Sequence, residues 1–188
     1  MVRGSVLWCL LLLLSVSGCG KRYQGAGVFR EITRTYIPVV GVNKGYMIEM
    51  PVFTPEKDYG ATYSLKGLPR INERFYVELL TYIPDGTESV EKRGEINSAL
   101  PGSHEIHCTL VDRNTNRILA EKTEKLSDLR GTPVPVLQLG PFLKNILEAT
   151  FANIPKGTEL EIRFEYRTGG LPLKRNMRII LLNDAPMA

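Results

Sequence analysis

A single antiparallel β-sandwich of the all-β class, with at most one short helix, is the fold this sequence predicts. Apolar side chains recur at every second residue through much of the chain, the period of a half-buried strand. Clusters of turn-forming residues interrupt those rows at short intervals. Many short strands joined by tight turns bury one face each by packing sheet on sheet, with a Greek-key or jelly-roll-like topology.

Along the chain, residues 30–40, 46–53 and 61–66 read as strands. Phe75, Val77, Leu79 and Ile83 then form an inward row, opposed by Arg74, Tyr76, Glu78, Leu80 and Tyr82. Ile106, Cys108 and Leu110 give another inward row, and further strands are expected over 117–123, 134–139 and 147–153. Residues 142–148 suit one short helical turn. The plainest strand sets Leu160, Ile162, Phe164 and Tyr166 against Glu159, Glu161, Arg163, Glu165 and Arg167. Met177, Ile179 and Leu181 make the last row. Pro84-Asp85-Gly86, Asn114-Thr115-Asn116, Pro155-Lys156-Gly157 and Gly169-Gly170 supply turns.

With 188 residues, 43% of them hydrophobic and 23% charged, the chain is globular and long enough for a real core. A net charge of +4 without a basic run gives no reason to expect a nucleic-acid partner. The expected organisation is a cleaved segment over 1–18, a modified cysteine and flexible tether over 19–27, and one sandwich domain over 28–188. Gly25 and Gly27, the two glycines within 21–27, suggest the tether, because they disfavour helix and strand alike.

The first residues carry an address. Arg3 precedes an apolar run, Val6 to Val16, that ends in small residues beside a cysteine, the order of a secretory signal. As a helix its eleven residues reach about 16 Å, against a hydrocarbon core about 30 Å thick, so it does not span a membrane. Val16-Ser17-Gly18-Cys19 resembles the lipobox of bacterial lipoproteins, whose cysteine is acylated and opens the mature chain. An ordinary cleaved signal without lipid is the other reading of the same small residues. The resemblance implies diacylglycerol and palmitate-type acylation at Cys19, hence a lipid-anchored envelope protein. Gly20 stands where an aspartate would signal inner-membrane retention, so in a Gram-negative cell it implies the outer membrane. Cys9 falls in the removed segment, leaving Cys108 as a core thiol and no intramolecular disulfide.

Phe151 to Leu160 resembles the strand-turn-strand of transthyretin-like or Cna-B-type surface domains, which supports the fold class alone. Candidate chemistry is sparse. Asp112, Asn114 and Asn116 match the start of a calcium loop, but Arg117 and Thr123 stand where the glycine and the bidentate glutamate belong. A polar hairpin turn explains the same residues. His104 and His107 face opposite sides of a strand, so zinc is not expected, and both read as surface histidines. Glu159, Glu161 and Glu165 share a face with Arg163 and Arg167, which would lower carboxylate pKa values when a general acid needs them raised. No hydrolase, zincin or phosphate-loop motif occurs, so no catalytic residue and no cofactor is expected. Tyr76, Leu80 and Tyr82, on the side of their strand opposite the inward row, are the candidate partner-binding residues. The expected function is that of a non-catalytic envelope sandwich with a structural or protein-binding role. Small-ligand or calcium binding through its loops is the alternative.

Overall fold

A computed structural model describes residues 23–36, 41–81, 103–129 and 143–183. In chain order the strands are β1 (Gln24–Gly25), β2 (Val28–Tyr36), β3 (Gly41–Phe53), β4 (Tyr59–Lys66), β5 (Arg74–Leu80), β6 (Glu105–Asp112), β7 (Arg117–Lys125), β8 (Leu143–Thr150), β9 (Leu160–Arg167) and β10 (Met177–Asn183). They form two sheets, ordered β1-β4-β9-β6-β7 and β2-β3-β10-β5-β8. Every pairing is antiparallel. The all-β sandwich is therefore the architecture.

The strands form where side-chain alternation demands them. β9 alternates buried Leu160, Ile162, Phe164 and Tyr166 with outward-facing charged residues. Its inner row meets Phe75, Val77 and Leu79 of β5, Tyr46 and Ile48 of β3, and Met177, Ile179 and Leu181 of β10 in one core. Phe53 stacks on Tyr59 with ring centres 4.4 Å apart and meets Phe164 edge-on at 5.7 Å, so aromatic contacts tie the two sheets together. Pro51 lies at a register shift between β3 and β10, a bulge where a residue without an N–H does least harm to the ladder.

The second sheet is also buried over part of its outer face, although Val28 and Val52 on that side are exposed. Ile32, Met47, Leu80, Ile180 and Leu182 are all buried there, and so is Glu78. The first sheet differs: its outer face carries a charged ladder, with Arg163 Nε 2.7 Å from Glu161 and Arg167 3.3 Å from Glu165.

Several expected boundaries change. Residues 24–27 belong to the sandwich: Gln24 and Gly25 pair with Lys66 and Leu65, and Ala26 N donates to Ser64 O. Of the tether expected over 19–27, residues 24–27 are thus ordered into the sheet corner, and residues 19–22 lie outside the described residues. The helical turn expected over 142–148 is strand β8 from residue 143 on, and the strand expected over 147–153 ends at Thr150. Phe151–Asn153 is instead a short 3-10 turn, capped by the Thr150 side chain. Phe151 is buried there against Phe75, ring centres 4.7 Å apart. β8 and β9 lie in different sheets, so Phe151 to Leu160 is a crossover between sheets and not a hairpin. Gly157 closes its turn at φ +84°. The strand expected over 134–139, the turn at Pro84 to Gly86, and residues 37–40 lie outside the described residues.

Candidate functional site

Cys19 and Tyr82 lie outside the described residues. Of the other two expected partner-binding residues, Tyr76 is half-buried and Leu80 only 5% exposed. Leu80 is thus no open contact surface. Its row belongs to the outer face of the second sheet, where Ile180 and Leu182 are buried alongside it. Alternation alone identifies the side of the sheet but not whether that side is wet.

Asp112, Asn114 and Asn116 are brought together by the β6–β7 hairpin, but their oxygens serve the turn. Asp112 Oδ1 accepts from the Asn114 backbone N–H at 2.9 Å, an Asx-turn. Asn116 adopts φ 54°, the left-handed conformation such a turn needs and asparagine tolerates. Its Oδ1 accepts from Arg163 Nη2 at 2.9 Å, so a guanidinium occupies the lone pair a calcium ion would use. Among the described residues no group of three or more His, Cys, Asp or Glu side chains could hold a metal.

The histidines separate as strand parity requires. His107 faces outward, with Nδ1 2.7 Å from Thr123 Oγ1 and Nε2 3.3 Å from Glu121. His104, expected at the surface, is fully buried. Its Nδ1 lies 2.6 Å from Tyr166 Oη, and the two rings meet edge-on with centres 5.5 Å apart. Burial lowers the His104 pKa, partly offset by the Leu171 backbone, and raises that of Tyr166. Arg175, whose Nη1 is buried, carries a lowered pKa because it too is desolvated. Sequence reasoning missed this polar cluster. The signal available for it was parity, since His104 falls in the inward register of Ile106 and Cys108. Cys108 is fully buried, which pushes its thiol up to about 12.

Glu159, at the head of the outer ladder, is held ionised and not poised as an acid. Lys66, 2.5 Å from Glu159, keeps that carboxyl below the usual range by hydrogen bond and charge. At the end of the sandwich where His104 lies, Asp58 accepts from the Thr168 backbone and hydroxyl at 2.8 and 3.0 Å, which lowers its pKa in the same way.

A concavity among the described residues is open to a partner. β7 ends the first sheet and β8 ends the second on the same flank, opposite the joined edges β1 and β2. Between them runs a groove of about 440 Å³, lined by Ile118, Leu119 and Ala120 from β7 and by Ala149, Thr150 and Ile154. Ile118 is 53% exposed. Arg117, Glu148 and Asn153 line it as well, so its apolar side chains lie among polar and charged ones. This groove was not expected, because it joins residues about thirty positions apart and depends on which strands end the sheets. Comparison with protein-family models and with curated proteins returns no match to this chain.

Proposed function

We propose that this chain is a lipid-anchored, non-catalytic β-sandwich of the cell envelope that binds a protein partner in the groove between β7 and β8. The observation that carries the binding role is that groove: an exposed isoleucine beside further apolar side chains, flanked by strands with no second strand partner among the described residues. An extended peptide segment suits such a place, because edge backbone groups offer hydrogen bonds while the groove accepts alternate side chains. The anchor rests on the Val16-Ser17-Gly18-Cys19 segment, and the outer membrane on Gly20 in a Gram-negative cell. The non-catalytic reading rests on carboxylates paired with cations and histidines engaged with hydroxyl groups.

A photo-crosslinking residue at Ile118 tests it in intact cells, with one at Arg163 on the charged ladder as control. The expected result is a discrete adduct from position 118 and none from 163, abolished by Ala120→Arg at unchanged melting temperature. Equal labelling from both positions, or none from 118, would sink the groove as a partner site. A Cys19 peptide whose mass lacks acyl chains would remove the anchor.

A further inference from the structure

We propose that the end of the sandwich carrying Tyr23, Lys44, Arg70 and Lys156 rests on the anionic phosphate headgroups of the leaflet that holds the anchor. The inference rests on the reading of Cys19 as the lipidated residue.

Distance makes the first part of the argument. Only Gly20, Lys21 and Arg22 separate Cys19 from Tyr23. Four residue steps reach at most about 14 Å. Tyr23 is itself fixed: its ring stacks on Phe29 with centres 5.5 Å apart, and its hydroxyl donates to Ala26 O at 2.5 Å. Phe29 stacks in turn on the buried Tyr46 at 5.2 Å, which places Tyr23 at one particular end of the fold. That end cannot move farther from the bilayer than the short linker allows.

Charge makes the second part. Asn72 Nδ2 holds the Lys44 carbonyl at 2.9 Å, bringing Lys44 beside the loop that carries Arg70. Arg70 donates to the Phe151 and Pro155 carbonyls and sits over the Phe151 ring at 5.0 Å, which brings Lys156 next to it. Lys44, Arg70 and Lys156 are exposed, and none makes an ion pair with a carboxylate among the described residues. Nearby, Lys66 and Arg74 cancel the charges of Glu159 and Glu148. Lys21 and Arg22 add two cations beside the anchor itself. Glu73 is an exposed carboxylate at this same end, and at the opposite end Glu56, Asp58, Glu105 and Asp128 are interleaved with Lys57, Lys125, Arg167, Lys174 and Arg175. It is therefore the short linker together with the exposed cations beside it, and not a difference in net charge between the ends, that sets the orientation. Juxtamembrane cations of this kind are drawn to anionic lipid within a Debye length, about 8 Å at physiological salt.

The test uses the full mature lipoprotein in vesicles containing phosphatidylglycerol and a headgroup-attached quencher. Cys108 is fully buried, so a cysteine introduced by Ile71→Cys, beside Arg70, takes a fluorophore selectively, as does one from Glu56→Cys at the far end. Fluorescence at position 71 should be quenched several-fold more than at position 56. Lys44→Glu with Lys156→Glu should lower the quenching at position 71 and narrow the difference, as should phosphatidylcholine vesicles, while the short linker keeps position 71 the nearer of the two. Equal quenching at 71 and 56 in protein that floats with the vesicles overturns the orientation and leaves the anchor standing. Indifference of the position-71 signal to the charge reversals overturns the headgroup contact. Protein that fails to float, with an unacylated Cys19 peptide, overturns the anchor first and this inference with it.

Discussion

His104 shows how a single buried polar side chain couples stability to pH. Its Nδ1 lies 2.6 Å from the Tyr166 hydroxyl in a fully buried setting, and Arg175 with its buried Nη1 lies near the same hydroxyl. Protonating the ring inside the fold is disfavoured, so the unfolded chain takes up the proton first. The contribution of His104 is therefore fully present above its ordinary value of about 6.5 and is lost as pH falls below it. Melting temperature measured between pH 8 and pH 5 should drop over the lower half of that range, and His104→Gln should flatten the drop. A wild-type profile as flat as the variant's would exclude the effect. Asp58 and Glu159, whose pKa values are lowered by Thr168 and Lys66, add their losses only at more acidic pH. Cys108 gives a second check at this scale. Fully buried and with its thiol pushed up to about 12, it should react with a thiol reagent only after denaturation. Parity along the strand made the inward direction of Cys108 legible, and the same parity applies to His104, which was expected at the surface because a histidine is polar. The hydroxyl facing His104 comes from a strand more than fifty residues later, and a single strand's pattern does not contain it.

At the scale of elements, glycine shows what composition conceals. The Gly-Ala-Gly of residues 25–27 suggests flexibility, yet it builds the corner that joins the two sheets. A Cβ on Gly25 would lie 2.5 Å from Ser64 O, and one on Gly27, at φ +85°, 2.6 Å from Glu49 O. These are backbone atoms held in strands and have no room to give way. Gly157 shares the same positive φ but has nothing near its missing Cβ. Gly157→Ala should therefore cost about 1 kcal/mol, from conformation alone. Gly27→Ala should cost more, about 2 to 3 kcal/mol, because strain and clash combine. Urea unfolding of the two variants checks the order, and equal costs would mean that the corner yields. In β9 the same method separates the two faces. Phe164→Ala should lose about 3 to 5 kcal/mol, whereas Arg163→Ala on the exposed ladder should lose under about 1 kcal/mol. That strand was legible residue by residue, because one side of it is wet. β8 was not: Ile146 and Leu147 are adjacent and both buried across a register shift, which breaks the period of two and suggested a helical turn.

For the whole molecule, alternation was enough to establish the sandwich but not the order of its strands. Among the described strands only β2–β3 and β6–β7 are both consecutive and adjacent, so the remaining connections cross between sheets. No local pattern specifies which crossing occurs, and the groove between β7 and β8 is a consequence of that order. The run Ile179-Ile180-Leu181-Leu182 did carry information of another kind, since a strand apolar at every position has no wet face. The structure buries all four residues, and with them the part of that face on which Leu80 was expected to meet a partner. Fold and anchor are separable in this layout. Among the described residues packing starts at Tyr23, four positions after Cys19, and the core contains one cysteine, Cys108, without a disulfide. On the proposed anchoring, folding draws on packing that the acyl chains do not touch. Cys19→Ser should release the protein from the membrane fraction into the soluble one, because two or three acyl chains supply the attachment and each buried methylene contributes about 0.8 kcal/mol to it. The purified variant should melt within about 2 °C of the detergent-extracted wild type, a shift equivalent to less than about 1 kcal/mol for a chain of this size. Continued membrane association of Cys19→Ser would contradict the anchor. A large loss of stability in the variant would show that the first residues of the mature chain belong to the fold.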